Sequence, residues 1–429
     1  MLERIFALRD HGTNVRTELI AGLTTFLSMV YIILVNPSML AEAGMDHGAV
    51  FVATCLAAAL GSLLMGLCAN YPIALAPGMG LNAYFTYSVV LGVGHPWQTA
   101  LGAVFLSGVL FSALSLLGIR EWIINAIPTS LKLAICSGVG FFLGIIALKN
   151  AGVIVSHPAT LVTLGDLGRP ETLLACLGFI IMTSLGARKV PGGIVITILA
   201  ITSCGVLSGL TPLQGVVSLP PSLAPTFLQL DISGAMEVGL LTIVFAFLFV
   251  DLFDTAGTLI GVAHQGGMLD KDGRLPRIGR ALLADSSASV AGAALGTSTT
   301  TSYIESALGI QAGGRTGLTA VTVALLFIAA LFFAPLAATV PGFATAPALL
   351  YVACMMARGL AEINWEDTTE GVPAVITALA MPLTFSIATG IGMGFISYVT
   401  IKILAGRPRE LSPAAALLAG MFVLKFMLV

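Results

Sequence analysis

Two interrupted stretches decide how this chain is read: ALAPGMGLNAYF at residues 74–85 and LGTSTTTSYIESALG at residues 295–309. In the first, Pro77, Gly78 and Gly80 break an apolar run. In the second, Gly296 precedes six Ser/Thr residues and then a short helical pattern. Proline and glycine unmake a helix and free its backbone N–H and C=O groups. At membrane depth such groups are tolerated only where they are held by protein or line a cavity. Interruptions at matching places in two halves of a chain are therefore the best sequence pointer to a transporter's substrate site.

The composition around these stretches makes the bilayer the solvent. Of 429 residues, 57% are hydrophobic and 9% charged, with a mean hydropathy of +1.01, whereas a soluble domain carries roughly a quarter charged residues. The 19 basic and 21 acidic residues leave a net charge of -2, which excludes a nucleic-acid footprint. The six cysteines (Cys55, Cys68, Cys136, Cys176, Cys204 and Cys354) lie singly in apolar stretches with no C-x-x-C pair. Neither a disulfide framework nor a metal site is indicated, and no cofactor is expected.

Stretches approaching the roughly 20 apolar residues needed to span recur near 17–42, 48–69, 72–91, 97–117, 129–150, 171–188 and 190–209. A weakly charged linker (210–236) follows, then seven more near 237–262, 281–296, 297–312, 315–335, 342–361, 371–387 and 388–405. The predicted fold is an all-α polytopic membrane protein of about fourteen transmembrane segments. An odd number repeated forces the second set of seven to enter from the opposite side, as an inverted repeat. The two interrupted stretches are third in their halves.

Residues 1–16 lack the apolar core of a signal peptide and are expected in the cytoplasm, as is the end of the fourteenth segment. On that orientation Arg120, Arg188, Lys189, the run KDGRLPRIGR (271–280), Arg315, Lys402, Arg407 and Arg409 fall inside, as the positive-inside rule requires. The inside loop after 361 is acidic, with Glu362, Glu366, Asp367 and Glu370. The apolar tail 406–429 either lies on the membrane or dips into it.

Three acids stand out from the loops and segment ends: Asp251 and Asp254 in FLFVDLFDTAGTLIG (247–261), and Glu305. An ionised, unpaired carboxyl inside a membrane costs several kcal/mol, so such acids are functional candidates and potential proton carriers. Asp251, Asp254 and Thr258 share one helical face by their i, i+3, i+7 spacing, with Gly257 and Gly261 allowing a close neighbour. Asp251 either carries a proton or orients a neighbouring hydroxyl. Thr301 or Ser302 is expected to cap the half-helix from whose first turn Glu305 projects. Asn82, just after the Pro77/Gly78 break, offers both a donor and an acceptor. The five histidines fall near segment ends or in loops, where none serves as a midplane relay.

Taken together, APGMGLNAYF (76–85), FVDLFDTAGTLIG (249–261), TSTTTSYIESALGIQAGGRTGLTA (297–320) and the entry GLTTFLSMVYIILVNP (22–37) resemble the signature segments of AzgA-like purine permeases, a branch of the nucleobase–cation symporter family 2. The resemblance implies two inverted repeats of seven segments. It divides them into a core domain (segments 1–4 and 8–11) and a gate domain (segments 5–7 and 12–14), with short extended pieces opening segments 3 and 10. It further implies a homodimer through the gate domain and a base bound between segments 3, 8 and 10. By motif, Asp254 matches the eighth-segment acid, Glu305 the tenth-segment acid and Asn82 the third-segment amide. Phe253 and the backbone N–H groups near Ala76, Gly78, Thr299 and Thr300 complete the implied substrate set, and Asp254, Glu305 or Asp251 is implied in proton coupling. Uracil and xanthine branches carry Glu where Asp254 stands, often with a nearby histidine. Thr258 at that place favours the purine branch and argues against a histidine-assisted step.

The expected function is proton-coupled uptake of hypoxanthine, guanine or adenine across the cytoplasmic membrane by alternating access, with protons and the lipid bilayer as the other partners. The rivals are a xanthine/uracil or anion carrier of the same fold, a passive channel and a membrane prenyltransferase-like enzyme. The last rests on Asp251-Leu-Phe-Asp254, and its second acidic motif would have to come from Asp270/Asp272 or Glu366/Asp367, which are predicted in loops.

Overall fold

The computed structural model describes residues 2–116, 128–268 and 275–428. Arg120, Lys271, Arg274, Asp270 and Asp272 lie outside the described residues, as does the side chain of Phe253. A short helix α1 (Leu2–Phe6) leads to α2 (Val15–Met29), whose N-cap Asn14 accepts from the Thr17 N–H at 3.0 Å. The first half continues with α3 (Ile32–Glu42), α4 (His47–Leu64), the extended piece β1 (Leu75–Pro77) with α5 (Met79–Ala83), and α6 (Trp97–Leu116). It closes with α7 (Thr129–Asn150), a hairpin of β2 (Ile154–His157) and β3 (Leu161–Leu164), α8 (Pro170–Ala187) and α9 (Gly193–Leu207).

A linker turn α10 (Ile232–Ala235) precedes the same order again: α11 (Val238–Gln265), α12 (Ile278–Leu295), β4 (Thr300–Ser302) with α13 (Ser306–Gln311), and α14 (Gly317–Ala330) with α15 (Ala334–Thr339). Then come α16 (Gly342–Met356), α17 (Thr368–Thr384), α18 (Ile387–Leu404) and a tail helix α19 (Pro413–Leu428). The mostly helical architecture and the extended pieces in the third and tenth segments agree with the sequence. The exposed β2–β3 hairpin, paired Ile154 to Leu164 and His157 to Leu161, was not foreseen.

By length and apolarity, eight helical stretches among the described residues suffice to cross a membrane: Val15–Glu42, His47–Ala69, Trp97–Leu116, Thr129–Asn150, Pro170–Ala187, Gly317–Thr339, Gly342–Glu362 and Ile387–Leu404. The shortfall from fourteen has physical causes. The third and tenth segments are broken into extended and helical pieces, while the apolar helix Gly193–Leu207 is short.

Contacts divide the chain into two units, Met1–Leu116 with Asn150–Ala348, and Leu117–Lys149 with Leu349–Val429. The first holds both interrupted segments. In the second, Lys402 is 1% exposed, and its Nζ lies 2.8 Å from Glu370 Oε1 and 2.6 Å from Glu410 Oε2. Glu370 also accepts from Ser130 Oγ and from Tyr398 OH. Glu370 and Glu410 thus neutralise a buried lysine and, with Ser130 and Tyr398, tie four stretches of chain together. A cavity of about 480 Å³ opens beside them. The tail helix lies back along α18, since a Cβ at Gly392 would meet Phe422 at 2.6 Å and Phe426 at 3.0 Å.

In the linker, Asp231 caps α10 through the Gly234 N–H (2.9 Å) and accepts from Thr99 Oγ1 (2.9 Å). The Gly234 N–H, then the Thr99 and Ser233 hydroxyls, hold its carboxyl below the usual range. The contribution of this cap is therefore present at neutral pH and is lost only as pH falls through that lowered value.

Gly296 ends α12 at φ +96°, and a Cβ there would stand 2.2 Å from Thr226 Cβ. Replacing it should cost about 1–3 kcal/mol through backbone strain and overpacking. Gly296→Ala is therefore expected to lower the melting temperature of the purified protein clearly more than Gly420→Ala, at a site where a Cβ meets nothing within 4 Å. Equal melting of the two variants would contradict this account.

Candidate functional site

The two interrupted segments complete one another. β1 and β4 pair antiparallel, with Leu75 opposite Ser302, Ala76 opposite Thr301 and Pro77 opposite Thr300. Outside the ladder, the Gly78 N–H donates to Thr299 O at 2.9 Å and the Tyr303 N–H to Ala74 O at 3.0 Å. Each strand is also clipped by a serine of the helix before it. Ser62 Oγ in α4 sits 3.0 Å from Leu75 N and 3.1 Å from Leu75 O. Ser289 Oγ in α12 sits 3.2 Å from Thr300 N and 2.8 Å from Thr300 O. The same device in corresponding helices is the inverted repeat written in side chains. Close approach at the crossing depends on Gly78, where a Cβ would stand 2.6 Å from Thr301 Cγ2.

From this crossing α5 and α13 depart, so two short helices start at the paired strands, and the first N–H groups of α13, those of Ser306, Ala307 and Leu308, already donate to Tyr303 O, Ile304 O and Glu305 O. Asn82 in α5 is fully buried, and neither its carbonyl oxygen nor its amide nitrogen has a hydrogen-bond partner among the described residues. Thr299 Oγ1, Thr300 Oγ1 and Asp251 Oδ1 are likewise buried and without a partner among the described residues. An unsatisfied buried polar group costs about 1–3 kcal/mol, so several around one crossing require a functional explanation.

The acids are held by hydroxyls. Tyr31 OH donates to Glu305 Oε1 at 2.7 Å. Thr255 Oγ1 donates to Asp285 Oδ2 at 2.9 Å and lies 2.9 Å from Thr301 Oγ1, which in turn is 3.5 Å from Asp254 Oδ2. Ser302 Oγ donates to Asp285 Oδ1 at 3.3 Å. Asp254 and Glu305 are partly exposed, while Asp251 and Asp285 are fully buried. Asp254 is near enough to act electrostatically on both Glu305 and Asp251. Among the described residues, none of Asp251, Asp254 and Glu305 forms an ion pair.

Several details differ from the sequence reading. Thr301 and Ser302 do not cap the half-helix: they bond to Thr255, Asp254 and Asp285, and Glu305 itself occupies the N-cap position without a side-chain capping bond. The hydroxyl that joins the network from α11 is Thr255, not Thr258. The N–H groups of Gly78 and Thr300 are already bonded within the protein, to Thr299 O and Ser289 Oγ. Gly261 faces open space. Asp251 has Ser289 Oγ at 3.4 Å. Asp285 and Tyr31 were missed. Asp285 sits in ADSSAS (284–289), a polar stretch in the middle of α12 that could have been recognised; Tyr31, inside an apolar run, carried no signal.

The sequence pattern of the Permease family (Xan_ur_permease) matches residues 16–393. The chain is 54% identical to the putative permease MJ0326 of Methanocaldococcus jannaschii, with 99% of this chain and 98% of that one covered. It is 50% identical to the adenine permease AdeP of Escherichia coli, covering 100% and 96%. With the guanine/hypoxanthine permease PbuG of Bacillus subtilis it shares 47% identity over 99% of each chain. Among solved structures, the transmembrane domain of the cyanobacterial bicarbonate transporter BicA superposes with a TM-score of 0.69 at 17% identity, covering 88% of this chain and 97% of that one. That likeness is one of fold. The family, the full-length relatives and the membrane-crossing helices agree with the broken-segment site: the chain is an integral membrane protein and a transporter rather than an enzyme, and it belongs to the Permease family, the nucleobase–cation symporter family 2.

Proposed function

We propose that this chain carries purine nucleobases, adenine, hypoxanthine or guanine, into the cell across the cytoplasmic membrane, coupled to inward proton flow. The observation that carries the reading is the set of two partly exposed carboxylates, Asp254 and Glu305, beside the unpartnered amide of Asn82 at one strand crossing. A purine is flat and edged with N–H donors and ring-nitrogen acceptors. Ionised carboxylates accept from its donors, and a carboxamide meets either kind of group. Full-length similarity to adenine and to guanine/hypoxanthine permeases supports the same cargo. An anion cargo is disfavoured by four carboxylates (Asp251, Asp254, Asp285 and Glu305) close to the crossing.

In this mechanism Asp254 or Glu305 loads a proton with the base from outside and releases it inside. Asp251, clipped to Ser289, and Asp285, bridged by Thr255 and Ser302, hold the geometry of the acids at the crossing. Phe253 and the backbone near Ala76 and Thr299 complete the binding surface, while the N–H groups of Gly78 and Thr300 stay engaged in the crossing. Segments 1–4 and 8–11 move as the core against a gate of segments 5–7 and 12–14, through which two copies pair. The N-terminus and the end of the fourteenth segment face the cytoplasm.

Uptake of radiolabelled hypoxanthine and adenine into cells or proteoliposomes, with and without a protonophore, tests the reading. Protonophore-sensitive uptake competed by purines and not by uracil is expected. Uptake indifferent to the protonophore would remove the proton coupling, and no uptake of any base by inserted protein would remove the cargo. Asp254→Asn and Glu305→Gln should each reduce concentrative uptake to background while leaving membrane expression intact; normal accumulation would take that acid out of the mechanism. Asn82→Ala should raise KM for the purine about tenfold, roughly 1.4 kcal/mol, with little change in protein level, measured as initial rates against base concentration.

A further inference from the structure

We propose that Tyr31 is the positioning residue of the tenth-segment acid: its phenol takes Oε1 of Glu305 and so presents the rest of the carboxylate to the base. The proposal rests on the reading that Glu305 faces substrate. Its geometry stands on three observations. First, Tyr31 OH and Glu305 Oε1 are 2.7 Å apart across 274 residues of sequence, the length of a hydroxyl donating to a carboxylate. Second, Glu305 makes no side-chain capping bond to its own helix, although it stands at the N-cap of α13. Its orientation is therefore set by the phenol together with its own backbone N–H, and not by a cap on the turn ahead of it. Third, the phenol is itself fixed: Tyr31 is 1% exposed and lies in the break between α2 and α3, where its carbonyl accepts from the N–H groups of Leu34 and Val35 at 3.0 Å each.

The helix carrying Glu305 has no room to slide away from this partner. A Cβ at Gly309 would stand 2.0 Å from Thr25 Oγ1 and 2.7 Å from Ala21 O, so α13 lies directly on α2. The first segment thus supplies no group of its own to the implied base-binding set, yet it decides where the tenth-segment carboxylate points. When Glu305 carries a proton, the same pair persists with the acid donating to the phenol oxygen, so the carboxyl stays in place in both states. Tyr31 acts through Glu305 and is not assigned a contact with the base.

The link is tested on reconstituted full-length protein without substrate. The infrared difference between wild type and Glu305→Gln isolates the carboxylate stretch of Glu305, and in Tyr31→Phe that band should move in frequency because its hydrogen-bond donor is gone. The converse needs no Tyr31 variant: in Glu305→Gln a tyrosine C–O stretch should move, because the phenol has lost a charged acceptor. Both bands unmoved would overturn the link. For transport, Tyr31→Phe should raise the KM for adenine or hypoxanthine about tenfold while the maximal rate stays within about twofold, and in the Glu305→Gln background it should weaken equilibrium purine binding no further. An equal loss in both backgrounds would make Tyr31 a packing residue and sink the proposal. Normal purine uptake with unmoved bands and an unchanged KM defeats this proposal and leaves the transport reading standing. Absence of uptake by wild type defeats that reading, and the infrared bands then decide the link alone.

Discussion

Backbone polar groups inside a bilayer must find their partners within the protein, and the rest of this molecule is arranged around how one pair of segments meets that demand. Two segments of the chain break their helices, and each supplies hydrogen bonds the other has lost. Three residues of β1 lie against three of β4, Gly78 and Tyr303 extend the exchange at either end, and Ser62 and Ser289 clip the outer edges. Without this crossing the third and tenth segments would have to remain whole helices. Neither Asn82 nor Glu305 would then stand at the start of a half-helix.

The polar chemistry beside the crossing is held by neutral donors. Glu305 is oriented by a phenol, Asp285 by two hydroxyls and Asp254, more loosely, by one. Among the described residues the buried lysine, Lys402, is spent on Glu370 and Glu410 in the other unit. The difference matters energetically. A buried ion pair locks each charge to its partner, and breaking it costs about 3–5 kcal/mol, whereas a hydroxyl bond contributes about 1 kcal/mol net and survives a change in the acid's protonation by turning round. Acids held in this way stay available to a base or a proton.

Much of this was legible in the residues. Pro77, Gly78 and the run from Gly296 to Ser302 announced the breaks, and the scarcity of charge made Asp251, Asp254 and Glu305 conspicuous. What sequence could not supply was partnership across distance. Tyr31 reads as one more apolar residue in MVYIIL, and only the fold brings it to Glu305. Helical spacing put Thr258 on the acidic stripe as reasonably as Thr255, and the position of Thr301 decides between them. Asp285 was hidden by its small, polar neighbours, which resemble a helix end rather than a core. The Ser/Thr run looked like a cap because local bonds are what a local reading finds. The hydroxyls of Thr301 and Ser302 instead serve α11 and α12.

The pairing of β1 with β4 also fixes an order of events during synthesis. Leu75 meets its partner Ser302 only after more than two hundred further residues have been made. At translation rates of about 5–20 residues per second, that is roughly 10 to 45 seconds. Throughout that interval the first interrupted segment sits at the membrane with half its backbone bonds unmade and only Ser62 at its edge. A nascent chain in this state has to be sheltered by its own earlier helices or by the insertion machinery. The crossing thus cannot close until most of its unit has been made, and neither half can mature without the other.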